Sequence, residues 1–171
     1  ISLLGFDRCS GTFTNVHAIH LDNTHLFGVL AFSPNGRFLY AANTQYVYQY
    51  DLQSSNIDSS CVTLADDTSH TSPGFGSFVL MPDNKIYMAN WSGYGPCLSV
   101  IDSPDLKAPA CNFHLRSACV VGTSQVLTTP NFVNYNLGSL TGSGCDTLQT
   151  DVKQETQDTR QIQIQPNPAT D

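Results

Sequence analysis

Charge is scarce in this chain. Asp, Glu, Lys and Arg make up 12% of its 171 residues, about half the share of an ordinary soluble domain. Glu occurs once, at Glu155, and Lys three times, at Lys85, Lys107 and Lys153. These are the commonest solvent-side helix formers, so their near absence argues against a mostly helical protein. Basic residues number seven against fourteen acidic ones, a net charge of −7. That leaves no phosphate-binding surface and argues against a nucleic-acid partner. Long apolar runs are missing as well: the longest, residues 26–32, has seven positions, far too few for a membrane span. No basic n-region and apolar h-region open the chain at Ile1, so no targeting signal is read there.

Neutral polar residues take the place of charge. Ser, Thr, Asn and Gln contribute 55 residues, and with Tyr, Phe, Val and Gly they favour strands and turns. The composition predicts an all-β chain. Six cysteines, Cys9, Cys61, Cys97, Cys111, Cys119 and Cys145, form an even set that suits export and disulfides. Export-like composition without a leader points to an internal fragment, with a signal peptide expected upstream.

An internal repeat organises the chain. Phe32-Ser33-Pro34-Asn35-Gly36-Arg37-Phe38-Leu39-Tyr40-Ala41-Ala42-Asn43 reads as strand end, turn and strand, and Leu80-Met81-Pro82-Asp83-Asn84-Lys85-Ile86-Tyr87-Met88-Ala89-Asn90 repeats it. Each copy is followed by an alternating strand that ends in Asp, first at Asp51 and then at Asp102, and Ser2-Leu3-Leu4-Gly5-Phe6-Asp7 fits the same slot. Asn35-Gly36 and Asp83-Asn84 tolerate the positive φ of a tight hairpin. Arg37 and Lys85 follow the turns, where a charge reaches water. The period-two alternation from Tyr46 to Tyr50 gives that strand one face for a neighbouring sheet.

Residues 28–33, 37–43, 46–52 and 60–65 are expected to form one four-stranded meander. Residues 76–81, 85–90, 97–102 and 111–115 are expected to form a second. Four strands per roughly 40–50 residues is the blade of a β-propeller. The predicted fold is thus a partial WD40/YVTN-like propeller, about two complete blades plus parts of neighbours. A closed ring takes about four to eight blades, so these strands do not complete one and apolar sheet faces should be exposed.

Ile86-Tyr87-Met88-Ala89-Asn90 followed by Leu98-Ser99-Val100-Ile101-Asp102 resembles the repeat of YVTN-type propellers. Phe6-Asp7-Arg8-Cys9-Ser10-Gly11, Ala31-Phe32-Ser33-Pro34-Asn35-Gly36-Arg37-Phe38-Leu39-Tyr40 and Pro130-Asn131-Phe132 together resemble something narrower. They are similar to large surface proteins of gliding-type bacteria that carry a propeller ahead of a type IX secretion sorting domain. The resemblance covers residues 1–147, the expected partial propeller. Residues 148–161 contain two apolar residues, Leu148 and Val152, and no aromatics, which reads as a polar linker. Ile162-Gln163-Ile164-Gln165 then alternates as a strand before Pro166-Asn167-Pro168-Ala169-Thr170-Asp171. This ending, 162–171, is similar to the opening of a type IX C-terminal sorting domain. The resemblance implies the type IX secretion machinery as a partner and an extracellular or cell-surface location.

Candidates for chemistry are few. His17 and His20 are three apart on an expected strand and point to opposite faces. Cys97, Cys111, His114 and Cys119 could loosely supply a zinc set, but their spacing matches no common ligand pattern, and disulfide or buried thiol is favoured. Cys97, Cys111 and Cys119 are therefore the candidate disulfide cysteines. Asp66-Asp67 reads as a turn rather than a calcium loop, since no EF-hand spacing follows. Asp7, Asp51 and Asp102 are expected to accept backbone N–H bonds in turns. No paired-carboxylate or Ser/His/Asp arrangement can be drawn, so no catalytic, cofactor or metal residue is assigned.

Asn90-Trp91-Ser92-Gly93-Tyr94-Gly95 contains the only Trp and reads as a loop between two strands. Trp91 and Tyr94 are the candidate binding residues, suited to a sugar face or an apolar protein surface, with packing between sheets as the competing role. Two functions follow. The first is a non-catalytic exported surface module that offers its loops to a glycan or a cell-surface protein. The alternative is a propeller enzyme resembling YVTN-type lactonases, with catalytic residues in other blades; fold analogy alone does not choose.

Overall fold

The turns dictate the fold. At residues 33–37 the Gly36 N–H donates to the Ser33 carbonyl at 2.9 Å, and the Asn35 side chain accepts from the Arg37 N–H at 2.9 Å. At residues 81–85 the same device recurs, with Asn84 N–H donating to Met81 O at 2.9 Å and Asp83 accepting from Lys85 N–H at 3.1 Å. Gly36 and Asn84 take equivalent left-handed conformations, φ 71° and 61°, which Gly and Asn tolerate best. The computed structural model describes residues 1–7, 9–19, 28–67, 74–91 and 95–122. Strands make up 54% of them and no α-helix is among them.

Three antiparallel sheets follow in chain order. The first is a hairpin of β1 (Ser2–Asp7) and β2 (Thr12–Ala18). The second is a meander of β3 (Val29–Phe32), β4 (Phe38–Ala42), β5 (Tyr46–Asp51) and β6 (Val62–Asp66), with one 3₁₀ turn at Asp58–Ser60. The third is a meander of β7 (Phe75–Leu80), β8 (Ile86–Asn90), β9 (Cys97–Ile101) and β10 (Phe113–Cys119). Both expected four-stranded units are present, in the expected strand order. The last strand is displaced: it begins at Phe113, not Cys111, because residues 103–112 form successive turns closed by Leu106 N–H to Ser103 O and Asn112 N–H to Pro109 O. The segments that carry the expected linker, the sorting tail and any strand near residues 129–137 lie outside the described residues.

The middle sheet is packed on both faces. Phe38 and Tyr40 of β4 join Ile86 and Ile101 of the third sheet and Cys111 of the turn before β10, while Ala42 and Val47 join Phe75 and Met88. On the other face Leu39, Ala41 and Tyr50 meet Ile19, with Ile1 and Leu3 against them. All five residues of β4 are therefore buried. Burying each large apolar side chain is worth about 1.5–3 kcal/mol. The expectation of one packed face for the strand from Tyr46 to Tyr50 needs correction. Val47 faces the third sheet and Tyr50 the first, because a layer lies on each side. Between the two four-stranded sheets, β3 and β7 are the strands that run closest together. The far face of the hairpin leaves Leu4, Phe6 and Phe13 exposed, with the two Phe rings 5.0 Å apart.

Candidate functional site

Cations and carboxylates at one end of the sheets repeat as the turns do. Arg37, at the foot of β4, sits one residue before the register partner of Asp51. Its Nε and Nη2 donate to Asp51 Oδ1 at 3.2 Å and Oδ2 at 2.8 Å. Lys85 occupies the same place before β8, and its Nζ donates to Asp102 Oδ1 at 2.8 Å. Asn112 Nδ2 donates to Asp102 Oδ2 at 3.0 Å, and His114 Nε2 lies 3.1 Å from that oxygen. Both cations are partly exposed, as their turn positions imply, but each is also committed to an Asp. The backbone-accepting role expected for the repeated Asp holds at Asp7, for Cys9 N–H at 2.8 Å, and at Asp51, for Gln53 N–H at 3.1 Å. Asp102 takes side chains instead.

The Arg37 hydrogen bond holds the Asp51 carboxyl below the ordinary carboxylate range, and Lys85 does the same for Asp102. A group whose folded pKa is depressed adds stability above its unfolded value, near 3.9 for Asp, and loses it as pH falls through the folded value. Stability should therefore be level above about pH 5 and fall below about pH 4. Asp51→Asn should lower stability at neutral pH and flatten that acid limb, measured by urea unfolding at stepped pH. A limb as steep in the variant as in the parent would count against the pair.

Trp91 stands at the opposite end, directly after β8. Its N–H donates to Gly74 O at 3.1 Å. A Cβ on Gly28, before β3, would lie 3.6 Å from the ring atom Cζ3, and one on Gly74 would lie 3.5 Å from Trp91 Cβ. The side chain thus leans across the starts of β3 and β7, where the two sheets adjoin, yet remains 62% exposed. Gly74 has no room for a side chain: its φ is +71° and a Cβ would come within 2.6 Å of Thr44 O. Beside this locus Arg116, in a bulged stretch of β10, donates through Nη2 to Asp67 Oδ2 at 2.9 Å and through Nε to Asn90 Oδ1 at 3.4 Å. Asp67 is thereby engaged by a cation. Tyr94, the second candidate binding residue, lies outside the described residues, as does His20; His17 is an exposed residue of β2.

Of the three candidate disulfide cysteines, two are joined. Cys97 and Cys119 form a disulfide across the first residue of β9 and the last of β10, which are register partners. Cys111 is not bridged: it is a buried free thiol packed with Tyr40 and Ile86. Strand register decides this, because the turn before β10 points Cys111 into the core rather than across a ladder. The loose zinc set is divided accordingly, with two thiols consumed and His114 on Asp102. Cys9 is disulfide-bonded, and Cys61 is a second free thiol, hydrogen-bonded with Tyr50.

One functional element escaped sequence reading. Gln49, on β5, is buried and faces the third sheet. Its Nε2 donates to the Tyr40 hydroxyl and to Leu106 O, each at 2.8 Å, and its Oε1 accepts the Ala108 N–H at 2.8 Å. The Tyr40 hydroxyl donates onward to Pro104 O at 2.8 Å. The β9–β10 loop is thus bound to the middle sheet by this amide and phenol, and at the β3–β4 turn by Asp105 Oδ1, which accepts the Asn35 N–H at 3.0 Å. A Gln within a Tyr-rich alternating strand is the only trace of this in the sequence. No helix among the described residues is long and apolar enough to cross a membrane. No protein-family model matches this chain, and no curated protein matches it.

Proposed function

We propose that this chain is a non-catalytic module of an exported surface protein, a section of a β-propeller whose loop end binds a glycan or a cell-surface protein. The observation that carries the reading is the stacking of consecutive antiparallel sheets. The two four-stranded meanders lie face to face and set their first strands, β3 and β7, side by side. Blades arranged about a common axis pack in this way. The Cys97–Cys119 disulfide is compatible with an oxidising, extracellular location. The tail at 162–171 supports export through the type IX secretion machinery by its similarity to a sorting domain, with a signal peptide upstream.

Trp91 is the side chain through which binding is proposed. A large indole held at its base and open on its face suits stacking on a sugar ring or an apolar protein anchor. Trp91→Ala should weaken retention on a panel of immobilised oligosaccharides and on intact cells by about tenfold or more, equivalent to about 1.4 kcal/mol. Its melting temperature should stay within about 3 °C of the parent, less than about 1 kcal/mol for a chain of this size. Unfolding of the variant, or unchanged retention, would return Trp91 to a packing role.

A further inference from the structure

Trp91 lies across a seam. Its backbone belongs to the third sheet, directly after β8, while its indole leans over Gly28 at the start of the second. How far the indole reaches depends on the separation of the two sheets at that end. A backbone bridge and a side-chain bridge fix it. In the first, Phe75 N–H donates to Thr44 O at 3.2 Å. In the second, Arg116 of β10 donates to Asp67, just beyond β6, at 2.9 Å.

The two bridges close a circuit that passes through Trp91. Asp67 N–H donates to Gln45 O at 2.7 Å, one residue from Thr44. Arg116 Nε donates to Asn90 Oδ1 at 3.4 Å, one residue before Trp91. Trp91 N–H donates to Gly74 O at 3.1 Å, one residue before Phe75. The backbone crossing needs no particular side chain, whereas the other crossing depends on Arg116. That residue is held in a left-handed conformation, φ 47°, within the bulge of β10 against β9. Such a conformation is costly for a residue with a Cβ, and its persistence points to function. Buried Ser99 secures it by accepting the Arg116 N–H at 3.1 Å. The Arg116 side chain is 24% exposed, against 42% for Arg37 in the pair at the far end. Salt and water therefore weaken the Arg116 pair less.

We infer that Arg116 is the positioning residue of the Trp91 binding face. By joining Asp67 of the second sheet to Asn90 of the third, it sets the width of the seam and holds the indole where a ligand meets it. A side chain already held in place spares its ligand the cost of immobilising it, worth about two- to tenfold in affinity. The inference rests on the reading of Trp91 as the binding residue, and the test separates the two.

Trp91 is the only tryptophan of the full 171-residue chain, so its fluorescence anisotropy reports the mobility of that indole without any ligand. Arg116→Asn removes the guanidinium and leaves a residue that tolerates the left-handed backbone. It should increase fast local rotation of the indole. It should also lower retention on the immobilised oligosaccharides and on intact cells by about fivefold. Arg116→Lys keeps a cation for Asp67 without the fork to Asn90, and should recover part of both. It carries the same comparison should Arg116→Asn fail to fold. Asp51→Asn, which breaks the Arg37 pair at the far end, should leave indole rotation unchanged. Unchanged rotation in Arg116→Asn would overturn the proposal, and so would equal loosening in Asp51→Asn. Retention lost with rotation unchanged would also overturn it, by making Arg116 a ligand contact. Trp91→Ala retained as well as the parent would overturn it through the binding reading beneath, a failure told apart because rotation is read without ligand.

Discussion

Gln49→Ala should cost this protein about 3–5 kcal/mol, a large part of the 5–15 kcal/mol by which a domain is ordinarily stable. The side chain makes three hydrogen bonds, one to Tyr40 in its own sheet and two to backbone groups of the β9–β10 loop. An ordinary hydrogen bond is worth only about 1 kcal/mol net, but a buried donor or acceptor left without a partner costs about 1–3 kcal/mol. Truncation leaves the Ala108 N–H and the Leu106 carbonyl in that position and opens a cavity beside Tyr40. Tyr40→Phe should be milder, about 1–2 kcal/mol, because the amide keeps two of its three partners. Gln53→Ala, just beyond β5 and exposed, should change stability by less than about 0.5 kcal/mol. Thermal and urea unfolding of the three variants orders them. A loss below about 1.5 kcal/mol for Gln49→Ala would mean that water replaces the network.

Cys97→Ser combined with Cys119→Ser is expected to be the next most damaging change. The bond closes a loop with a sequence separation of 22, for which chain entropy alone gives about 3 kcal/mol. In a protein of this length that corresponds to a melting temperature lower by roughly 6–12 °C. Reductant should bring parent and double variant to the same point, lowering the parent by the larger step, since the disulfide at Cys9 is reduced in both. Parent and variant melting alike without reductant would show that the ladder between β9 and β10 needs no covalent support. Because the bond sits at the end of the third sheet that faces Trp91, its loss should loosen that end first.

The architecture was legible where local chemistry and long-range packing agree. Asn35-Gly36 and Asp83-Asn84 announce the hairpins, and the strands around them begin and end within a residue or two of their expected bounds. The agreement failed at β10, where Pro104, Pro109 and the left-handed Asn112 draw out a loop that apolar alternation alone does not register. The site was less legible. Trp91 is conspicuous as a lone indole, and it stands exposed directly after β8. The pairs Arg37 with Asp51 and Lys85 with Asp102 were visible only as separate repeats, since their partners are 14 and 17 residues away. Gln49 was hidden because a polar residue in an alternating strand ordinarily marks the wet face, and here a second sheet lies on that face. Cysteine spacing cannot name a pair; the register of β9 against β10 does, and it leaves Cys111 out.

A strand enclosed on both sides also governs how such a protein can change over time. At most positions of an ordinary half-buried strand, every second residue is open to drift, so a lineage can alter charge or solubility there without disturbing the fold. β4 has no such residue: from Phe38 to Ala42 each side chain is committed to one neighbouring layer or the other. A substitution there must be answered in another sheet, from Ile86 and Met88 on one side or Ile19 and Leu3 on the other. Divergence is thus channelled into the turns and the outer strands. β4 should then remain the most recognisable stretch when distant sequences of this kind are compared.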